Sequence, residues 1–229
     1  MSLLPRRFRR LQFVLNYRIS DLTVILEHVE KSHNLSAILR SCDAVGIIEA
    51  HAVSLRERLR IFQNTALGSQ KWVRLRNYNS IVPAITQLKQ RGFKIYGTNL
   101  GIGSIDYRNC DFLGPSSFLL GAEKWGLSQE AAELVDQSIT IPMSGMVQSL
   151  NVSVATAILL FEVLRQRQVA ETLPTNGEGL IMQHRKKLLL EYAHPQIANL
   201  YRDEGKDYPE LDQHGKIILD ISNNITICQ

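Results

Sequence analysis

Short apolar runs alternate along the chain with segments whose apolar residues recur every three to four positions. The runs predict strands at residues 22–26, 47–53, 72–75, 93–98, 117–120 and 138–141. The periodic segments predict helices at 35–45, 81–91, 128–135 and 151–168, the first two ended by Gly46 and Gly92. This alternation predicts an α/β fold: a wound, mostly parallel sheet with helices on both faces.

The segments before and after this pattern differ from it. An arginine-rich helix is expected before the first strand, with Phe8, Leu11, Val14 and Leu15 available to anchor it. Residues 171–179 are typical of a linker, a helical pattern follows at 180–192, and Pro195 begins another short helix. The tail from residue 207 has weak periodicity. We therefore divide the chain into a basic amino-terminal helical extension (1–20), a main domain (21–168), and a linker with a carboxyl-terminal helical extension (169–229).

Composition limits the class of protein. With 229 residues, 45% hydrophobic and 21% charged, the chain can bury one good core in a domain of ordinary size. Its longest apolar stretch, 154–161, is too short to cross a bilayer, and the apolar residues 11–15 are too few for a signal peptide. We expect a soluble, cytoplasmic protein that makes no use of a membrane.

Cysteine and histidine give no metal-binding pattern. The three cysteines, Cys42, Cys110 and Cys228, are widely separated, so we expect free thiols rather than disulfides. The six histidines stand singly among polar neighbours, and we expect them at the surface or at helix ends. No metal site is predicted.

Positive charge is concentrated at the amino terminus. Residues 1–20 hold five arginines and no acid, which leaves 21 basic against 22 acidic residues in the rest of the chain. Four of the five, Arg6, Arg7, Arg9 and Arg10, lie close together, and Arg56, Arg58 and Arg60 add to the basic character. Such a helix can neutralise phosphates and predicts a nucleic-acid partner. A solvated helix face or a disordered arm would have the same composition.

Two glycine-containing loops follow predicted strands, at 121–126 and 141–151. Because ligands bind beyond the carboxyl ends of parallel strands, these loops predict a small-molecule pocket. The first loop has Gly121, Gly126 and Ser128 at the spacing of a phosphate-binding loop, but Leu127 replaces the lysine that such loops require. The Gly101–Gly103 segment likewise has Asp106 where a dinucleotide-binding loop needs its third glycine. Both departures argue against a nucleotide phosphate or a nicotinamide or flavin cofactor.

A third segment, 33–46, predicts a helix with one unusual residue. Leu35, Ile38, Leu39 and Cys42 form its apolar stripe, and Arg40 lies off that stripe. Its ordinary structural interpretation is that Asn34 caps the helix and Arg40 points to water.

Taken together, these three segments resemble the three motifs of the SPOUT superfamily of S-adenosylmethionine-dependent methyltransferases. The resemblance is to its SpoU/TrmH branch, which methylates the ribose 2′-hydroxyl of RNA. The first motif is residues 34–46, the second comprises Leu120, Gly121, Glu123 and Gly126, and the third lies within residues 141–153. The similarity covers about 21–168, and the flanking helices are similar to those of branch members that act on guanosine 18 of tRNA.

The resemblance implies a deep trefoil knot, a homodimer, tRNA as partner and S-adenosylmethionine as cofactor. By the same analogy the cofactor contacts Thr98, Gly121, Ile141, Met143 and Leu150, through backbone groups and apolar side chains. These residue types suit an adenine ring, which needs flat apolar walls and a few backbone hydrogen bonds. Two alternatives remain. The substrate is another nucleotide of tRNA or ribosomal RNA, or the chain is an RNA-binding protein of the same fold without catalysis.

The resemblance also implies catalytic roles. It assigns the activating role to Arg40, but a guanidinium with a pKa above about 12 is a poor general base. We therefore expect Arg40 to grip an RNA phosphate and stabilise the developing alkoxide, with Asn34 holding its side chain. Glu123 orients the second loop or faces the RNA. Ser149 and Asn151 act at the site or simply cap the helix that follows them.

Overall fold

The chain folds as two compact units, 18–174 and a second unit formed by 1–17 with 175–229. The computed structural model describes residues 4–54, 68–99, 101, 103–122, 125–174 and 177–218. Glu123, Arg56, Arg58 and Arg60 therefore lie outside the described residues.

A parallel sheet forms the centre of the 18–174 unit. In chain order its described strands are β1 Leu22–Glu27, β2 Glu49–Val53, β3 Arg74–Tyr78, β4 Lys94–Thr98, β5 Ile105–Asp106, β6 Ser116–Leu120 and β7 Gln137–Thr140. Their order across the sheet is β3-β2-β1-β6-β4-β7-β5, and every pairing is parallel. The predicted wound α/β sheet is confirmed. Strand β5 was not predicted.

Helices connect these strands and form more than half of the described part of the second unit. Those in 18–174 are α2 Ser32–Ala44, α3 Ile81–Gln90, α4 Gln129–Leu134 and α5 Val152–Val169. Those in the other unit are α1 Pro5–Leu15, α6 Met182–Ala193 and α7 Pro195–Asp203. Short 3-10 turns occur at Ser69–Lys71 and Tyr107–Asn109. None of these helices combines the length and apolar character that crossing a bilayer requires.

Two apolar clusters cover the two faces of the sheet. On one face, α2 and α5 pack through Leu35, Leu39 and Leu159 against Phe118 of β6. On the other, α3 packs through Ile85 against Leu119, the next residue of the same strand. Because successive side chains of a strand point to opposite faces, a central strand covered on both sides is apolar throughout. Helices on both faces are thus confirmed.

The arginine-rich helix forms as predicted. In α1, Phe8, Leu11 and Leu15 are buried, whereas Arg6, Arg7, Arg9 and Arg10 are exposed. The fifth arginine behaves differently. Arg18 is buried, donates to the carbonyl of Ile47 at 3.1 Å, and pairs with Asp43 at 2.6 Å. It is a structural residue of the 18–174 unit, so we assign it no part in binding nucleic acid.

The expected position of one histidine and the interpretation of Asn34 as a helix cap are wrong. His51 is fully buried in β2, not at the surface or at a helix end, because its Nδ1 has a hydrogen-bond partner in the hydroxyl of the half-buried Tyr78 at 3.1 Å. Helix α2 begins at Ser32 with Lys31 as its cap, so Asn34 lies inside the first turn and is not the cap. Cys42 is a buried free thiol, Cys110 is a free thiol that is only half-buried, and Cys228 lies outside the described residues. Burial raises the pKa of the Cys42 thiol to about 12, so this thiol stays protonated.

Candidate functional site

A cavity of about 450 Å³ lies beyond the carboxyl ends of β6, β4 and β7, three neighbouring strands of the sheet. The five residues predicted to contact the cofactor, Thr98, Gly121, Ile141, Met143 and Leu150, all line it. Its volume falls in the range of small-molecule sites, and its position is the one expected for a parallel sheet. The structure thus brings the second and third motifs together around one pocket.

The walls of this cavity are uncharged where the structure describes them. Aliphatic side chains and Trp125 provide most of the surface, and Thr98, Asn99, Gln148 and Ser149 add polar groups. None of the described lining residues has an ionisable side chain. A polyphosphate would find no cation among them, as the sequence of the first loop indicated. In the described ranges, no group of His, Cys, Asp or Glu residues could hold a metal ion.

The second motif forms a tight loop against the cavity. Gly126 has a φ of +68°, and its N–H donates to the carbonyl of Ala122 at 2.8 Å. A Cβ added at Gly121 would lie 2.1 Å from backbone atoms of Gly126. Both glycines are therefore required by geometry: one for its left-handed backbone and one for the close approach of two chain segments.

A buried acid holds this loop, and the sequence analysis did not identify it. Glu27, the last residue of β1, is 3% exposed. Its Oε2 accepts from the Ser128 N–H at 2.9 Å, and its Oε1 accepts from the Ser128 hydroxyl at 2.7 Å. The same hydroxyl oxygen accepts from the N–H of Ala131 and so begins α4. The available signal was an acid at the end of an otherwise apolar strand.

The first and third motifs meet through two asparagines. Asn151 caps α5, because its Oδ1 accepts from the N–H of Ser153 at 2.9 Å and from the hydroxyl of the same residue at 2.6 Å. This fixes its amide nitrogen as a donor, and that nitrogen donates to Oδ1 of the buried Asn34 at 3.2 Å. Capping is observed, and the same residue also links two motifs that are 117 residues apart.

Ser149 and Arg40 are exposed, unlike the buried Asn34. Ser149 is exposed, lines the cavity and lies two residues before the cap. Arg40 is exposed on α2, and its guanidinium makes no hydrogen bond or ion pair to any residue in the described part of the chain. Six residues separate it from Asn34, which places the two on different faces of the helix. The expected contact in which Asn34 holds Arg40 is therefore absent from the described structure.

The predicted RNA-binding arginines lie in the other unit. Arg6, Arg7, Arg9 and Arg10 are exposed on α1, and none of their guanidinium groups has an ion pair or a hydrogen bond within the described ranges. Four guanidinium groups on one helix, in a segment (1–20) that contains no acid, repel one another, and a polyanion would relieve that repulsion.

Comparisons with known proteins identify the family of the chain. A family model described as the SpoU rRNA Methylase family matches residues 21–161. A second model, SpoU, rRNA methylase, C-terminal, matches residues 165–220.

Three individual proteins illustrate the similarity. The chain is 43% identical over 216 residues, 94% of each protein, to the tRNA (guanosine(18)-2′-O)-methyltransferase of Escherichia coli. A crystal structure of the A. aeolicus TrmH/SpoU tRNA modifying enzyme superposes with a TM-score of 0.78 at 37% identity, covering 84% of this chain and 97% of that one. The methyltransferase AviRb from Streptomyces viridochromogenes, solved in complex with AdoMet, has a TM-score of 0.61 at 26% identity, covering 66% of this chain and 62% of that one.

Proposed function

Because this chain belongs to the SpoU rRNA Methylase family, we propose that it transfers a methyl group from S-adenosylmethionine to the ribose 2′-hydroxyl of guanosine 18 in tRNA. The observation that carries the proposal is the cavity, in which every residue expected to contact the methyl donor takes part. Similarity over 94% of a relative named for this reaction supports the choice of nucleotide.

The residues of the cavity fit the methyl donor. Ile141, Met143 and Leu150 would hold the adenine ring between apolar side chains, while Thr98 and the backbone at Gly121 supply polar groups at its edge. S-adenosylmethionine, when bound, supplies an electrophilic methyl group on a positively charged sulfur. Among the described lining residues no cation would compete beside that sulfur, and the apolar side chains lower the local polarity.

In the proposed reaction Arg40 acts by electrostatics. Its exposed guanidinium is free of partners in the described structure, so it can bind an RNA phosphate with two hydrogen bonds and stabilise the charge that develops on the ribose oxygen. That phosphate or a water accepts the proton that the hydroxyl loses. Asn34 and Asn151 position α2 and α5 through their hydrogen bond instead of holding Arg40. Ser149 faces the cavity, where it can orient the methyl donor or the ribose. Glu123 would orient the second loop or face the RNA.

The rest of the proposal follows the family. We include a homodimer, the deep trefoil knot that the resemblance implies, and tRNA bound partly through Arg6, Arg7, Arg9 and Arg10. A cytoplasmic location accompanies an RNA substrate. The alternatives are methylation of another tRNA or ribosomal RNA nucleotide, and RNA binding without catalysis.

The direct test uses the purified chain, labelled S-adenosylmethionine and an unmodified tRNA transcript. We expect one methyl group per tRNA, mapped to the ribose of guanosine 18. The matched control is the same tRNA with 2′-deoxyguanosine at position 18, which lacks only the acceptor oxygen and should accept no label. Equal labelling of both transcripts, or no transfer to any RNA, would contradict the proposal.

Arg40→Lys tests the role given to the guanidinium. Lysine keeps the charge but cannot form two parallel hydrogen bonds to one phosphate, so we expect single-turnover methylation to slow by about 100-fold. Affinity for S-adenosylmethionine, measured separately by calorimetric titration, should stay within about twofold because Arg40 does not line the cavity. Near-normal turnover in this variant would rule out bidentate binding.

A further inference from the structure

Two aromatic side chains are exposed next to the arginines of α1. Phe13 is 50% exposed and Tyr17, just beyond the end of the helix, is 49% exposed. Their ring centroids lie 5.0 Å apart, with the ring planes tilted by 53°. Single exposed aromatic residues are ordinary in folded proteins, but two in contact with each other form a continuous apolar surface that water solvates poorly.

The aromatic pair, Phe13 and Tyr17, continues a row of arginines. The guanidinium carbon of Arg10 lies 5.2 Å from the centroid of the Phe13 ring, within the range of a cation–π contact. Arg6 lies one turn before Arg10 on the same side of α1, because positions 6, 10 and 13 fall within a narrow arc of a helix. The surface is therefore a stripe with guanidinium groups at one end and two rings at the other.

The charge of this stripe indicates its partner. Residues 1–20 contain no acid, and neither Arg6 nor Arg10 has an ion pair with a described residue. A polyanion supplies the missing negative charge. The exposed rings beside its phosphates would be buried by a flat group that stacks on them. RNA with an unpaired base has both, since a base outside a stem can stack on an aromatic ring while its flanking phosphates meet the guanidinium groups.

We propose that Phe13 and Tyr17, together with Arg6 and Arg10, form a stacking platform for an unpaired base of the RNA substrate. This inference rests on the proposed function and adds to it a base-contacting surface in the amino-terminal helix. The rings hold a base that is outside a stem, whereas the arginines bind phosphate in any RNA. The platform thus makes binding selective for RNA with loops over a continuous duplex.

The test compares removal of rings with removal of charge in the full-length protein. Phe13→Leu and Tyr17→Leu should each weaken tRNA binding by roughly 5- to 100-fold, with the slope of log K against log salt unchanged. Arg10→Gln should lower that slope by about one. Neither leucine variant should weaken binding to a fully paired RNA duplex of similar length. In turnover assays the leucine variants should raise KM for tRNA and leave kcat at saturating tRNA unchanged.

Conservative variants separate stacking from a structural effect. Phe13→Trp and Tyr17→Phe keep a ring and should retain binding within about threefold. Leu4→Ala removes an exposed apolar side chain outside the platform and should change nothing. Equal loss in the leucine and ring-keeping variants, or equal loss for duplex and tRNA, would overturn the platform. So would a change of oligomeric state in the double leucine variant with tRNA affinity unaltered, since the rings would then bind protein.

The two proposals fail in different ways. If the wild-type protein methylates guanosine 18 while the double leucine variant binds tRNA normally, the platform is wrong and the proposed function stands. If the wild-type protein binds tRNA through the rings but methylates no ribose, the proposed function is wrong and the platform stands.

Discussion

Glu27 is an acidic residue at a buried position, where an apolar side chain would cost less free energy to bury. It ends the central strand β1 and is 3% exposed, so it has lost most of its hydration. A buried acid costs several kcal/mol unless hydrogen bonds replace its water. Two donors from Ser128 do so, and both belong to the residue that ends the second-motif loop. The acid therefore stabilises the fold only while that loop keeps its shape.

Glu27→Gln is expected to weaken the binding of S-adenosylmethionine. A glutamine oxygen can accept from one donor of Ser128, but the amide N–H2 of this buried side chain then faces the other donor, so that pair forms no hydrogen bond. We expect the free energy of unfolding to fall by roughly 1–3 kcal/mol and S-adenosylmethionine affinity to fall about tenfold. Denaturant titration and calorimetric titration at the same pH measure the two quantities.

The control variant is Asp43→Asn. It removes one partner of the Arg18–Asp43 ion pair, which lies 2.6 Å from N to O in the same unit but outside the cavity lining. Its stability should also fall, while S-adenosylmethionine affinity should stay within about twofold. If both variants lose affinity equally, the effect of Glu27 is on overall stability and not on the loop.

Side-chain contacts between residues far apart in the sequence could not be predicted. The residues lining the cavity could be predicted because motif resemblance names positions one by one. The bonds from Glu27 to Ser128 and from Asn34 to Asn151 span 101 and 117 residues. Nothing local in the sequence determines such a pair, because each partner alone has an ordinary interpretation as a strand end or a helix cap.

The sequence predicted the ends of a strand more accurately the more deeply that strand is buried. The central strands β1 and β6 were placed within one residue at each end because both faces are apolar. Strand β3 was predicted at 72–75 and is found at Arg74–Tyr78. As an edge strand it is only partly covered, so most of its side chains are polar and its apolar signal is weak. Strand β5, with two residues, is too short for any periodicity.

The edge strand β3 completes a polar network around His51. The hydroxyl of Tyr78 donates to the side-chain oxygen of Gln87 and shares a 3.1 Å hydrogen bond with His51 Nδ1. Burial lowers the pKa of His51 to about 4, although the nearby Glu49 acts in the opposite direction. The imidazole is therefore neutral at pH 7, and its 3.6 Å approach to Glu49 is not an ion pair.

This buried histidine predicts a loss of stability in mild acid. Between pH 6.5 and pH 4 the histidine is protonated in the unfolded chain but stays neutral in the folded protein. The free energy of unfolding therefore falls as the pH falls through this window. At pH 7 both states are neutral and no difference arises. The full effect is about 3 kcal/mol. Denaturant titrations of the wild type and His51→Gln from pH 7 to pH 4 should converge by up to this amount on acidification.

His28→Asn controls for histidine substitution in general. His28 is exposed and has a φ of +54°, which asparagine tolerates. Its profile of stability against pH should run parallel to that of the wild type, because the carboxylates that titrate in this range are common to both proteins. A parallel profile for His51→Gln as well would show that His51 titrates in the folded protein as it does in the unfolded chain.

At the scale of the whole molecule, α5 has two apolar faces. Leu159, Leu160 and Val163 are buried in the core of the 18–174 unit. Val154 and Phe161, seven residues apart and hence on one stripe, are 47% and 54% exposed. An exposed apolar stripe on an otherwise well-packed helix is typical of a surface that another chain covers. The proposed homodimer would cover it with the same stripe of a second copy, as a two-fold interface requires.

Phe161→Lys is expected to convert the proposed dimer to a monomer. Two lysines facing each other across a two-fold axis repel, and each would lose hydration on burial. We expect sedimentation equilibrium to show dissociation at concentrations at least 100-fold higher than for the wild type. The monomer should stay folded because the side chain is exposed in the single chain. It should still bind S-adenosylmethionine, because Phe161 does not line the cavity.

The matched control places the same charge on another helix. Val82 is 40% exposed on α3, on the opposite face of the sheet from α5, and Val82→Lys should leave the oligomeric state unchanged. If both variants dissociate the dimer, the cause is added net charge. If neither does, the exposed stripe of α5 is not the interface, and the copies associate through another surface. Comparing methylation by the Phe161→Lys monomer with that of the dimer then shows whether one chain holds a complete site, which matters because Arg40 has no described partner within its own chain.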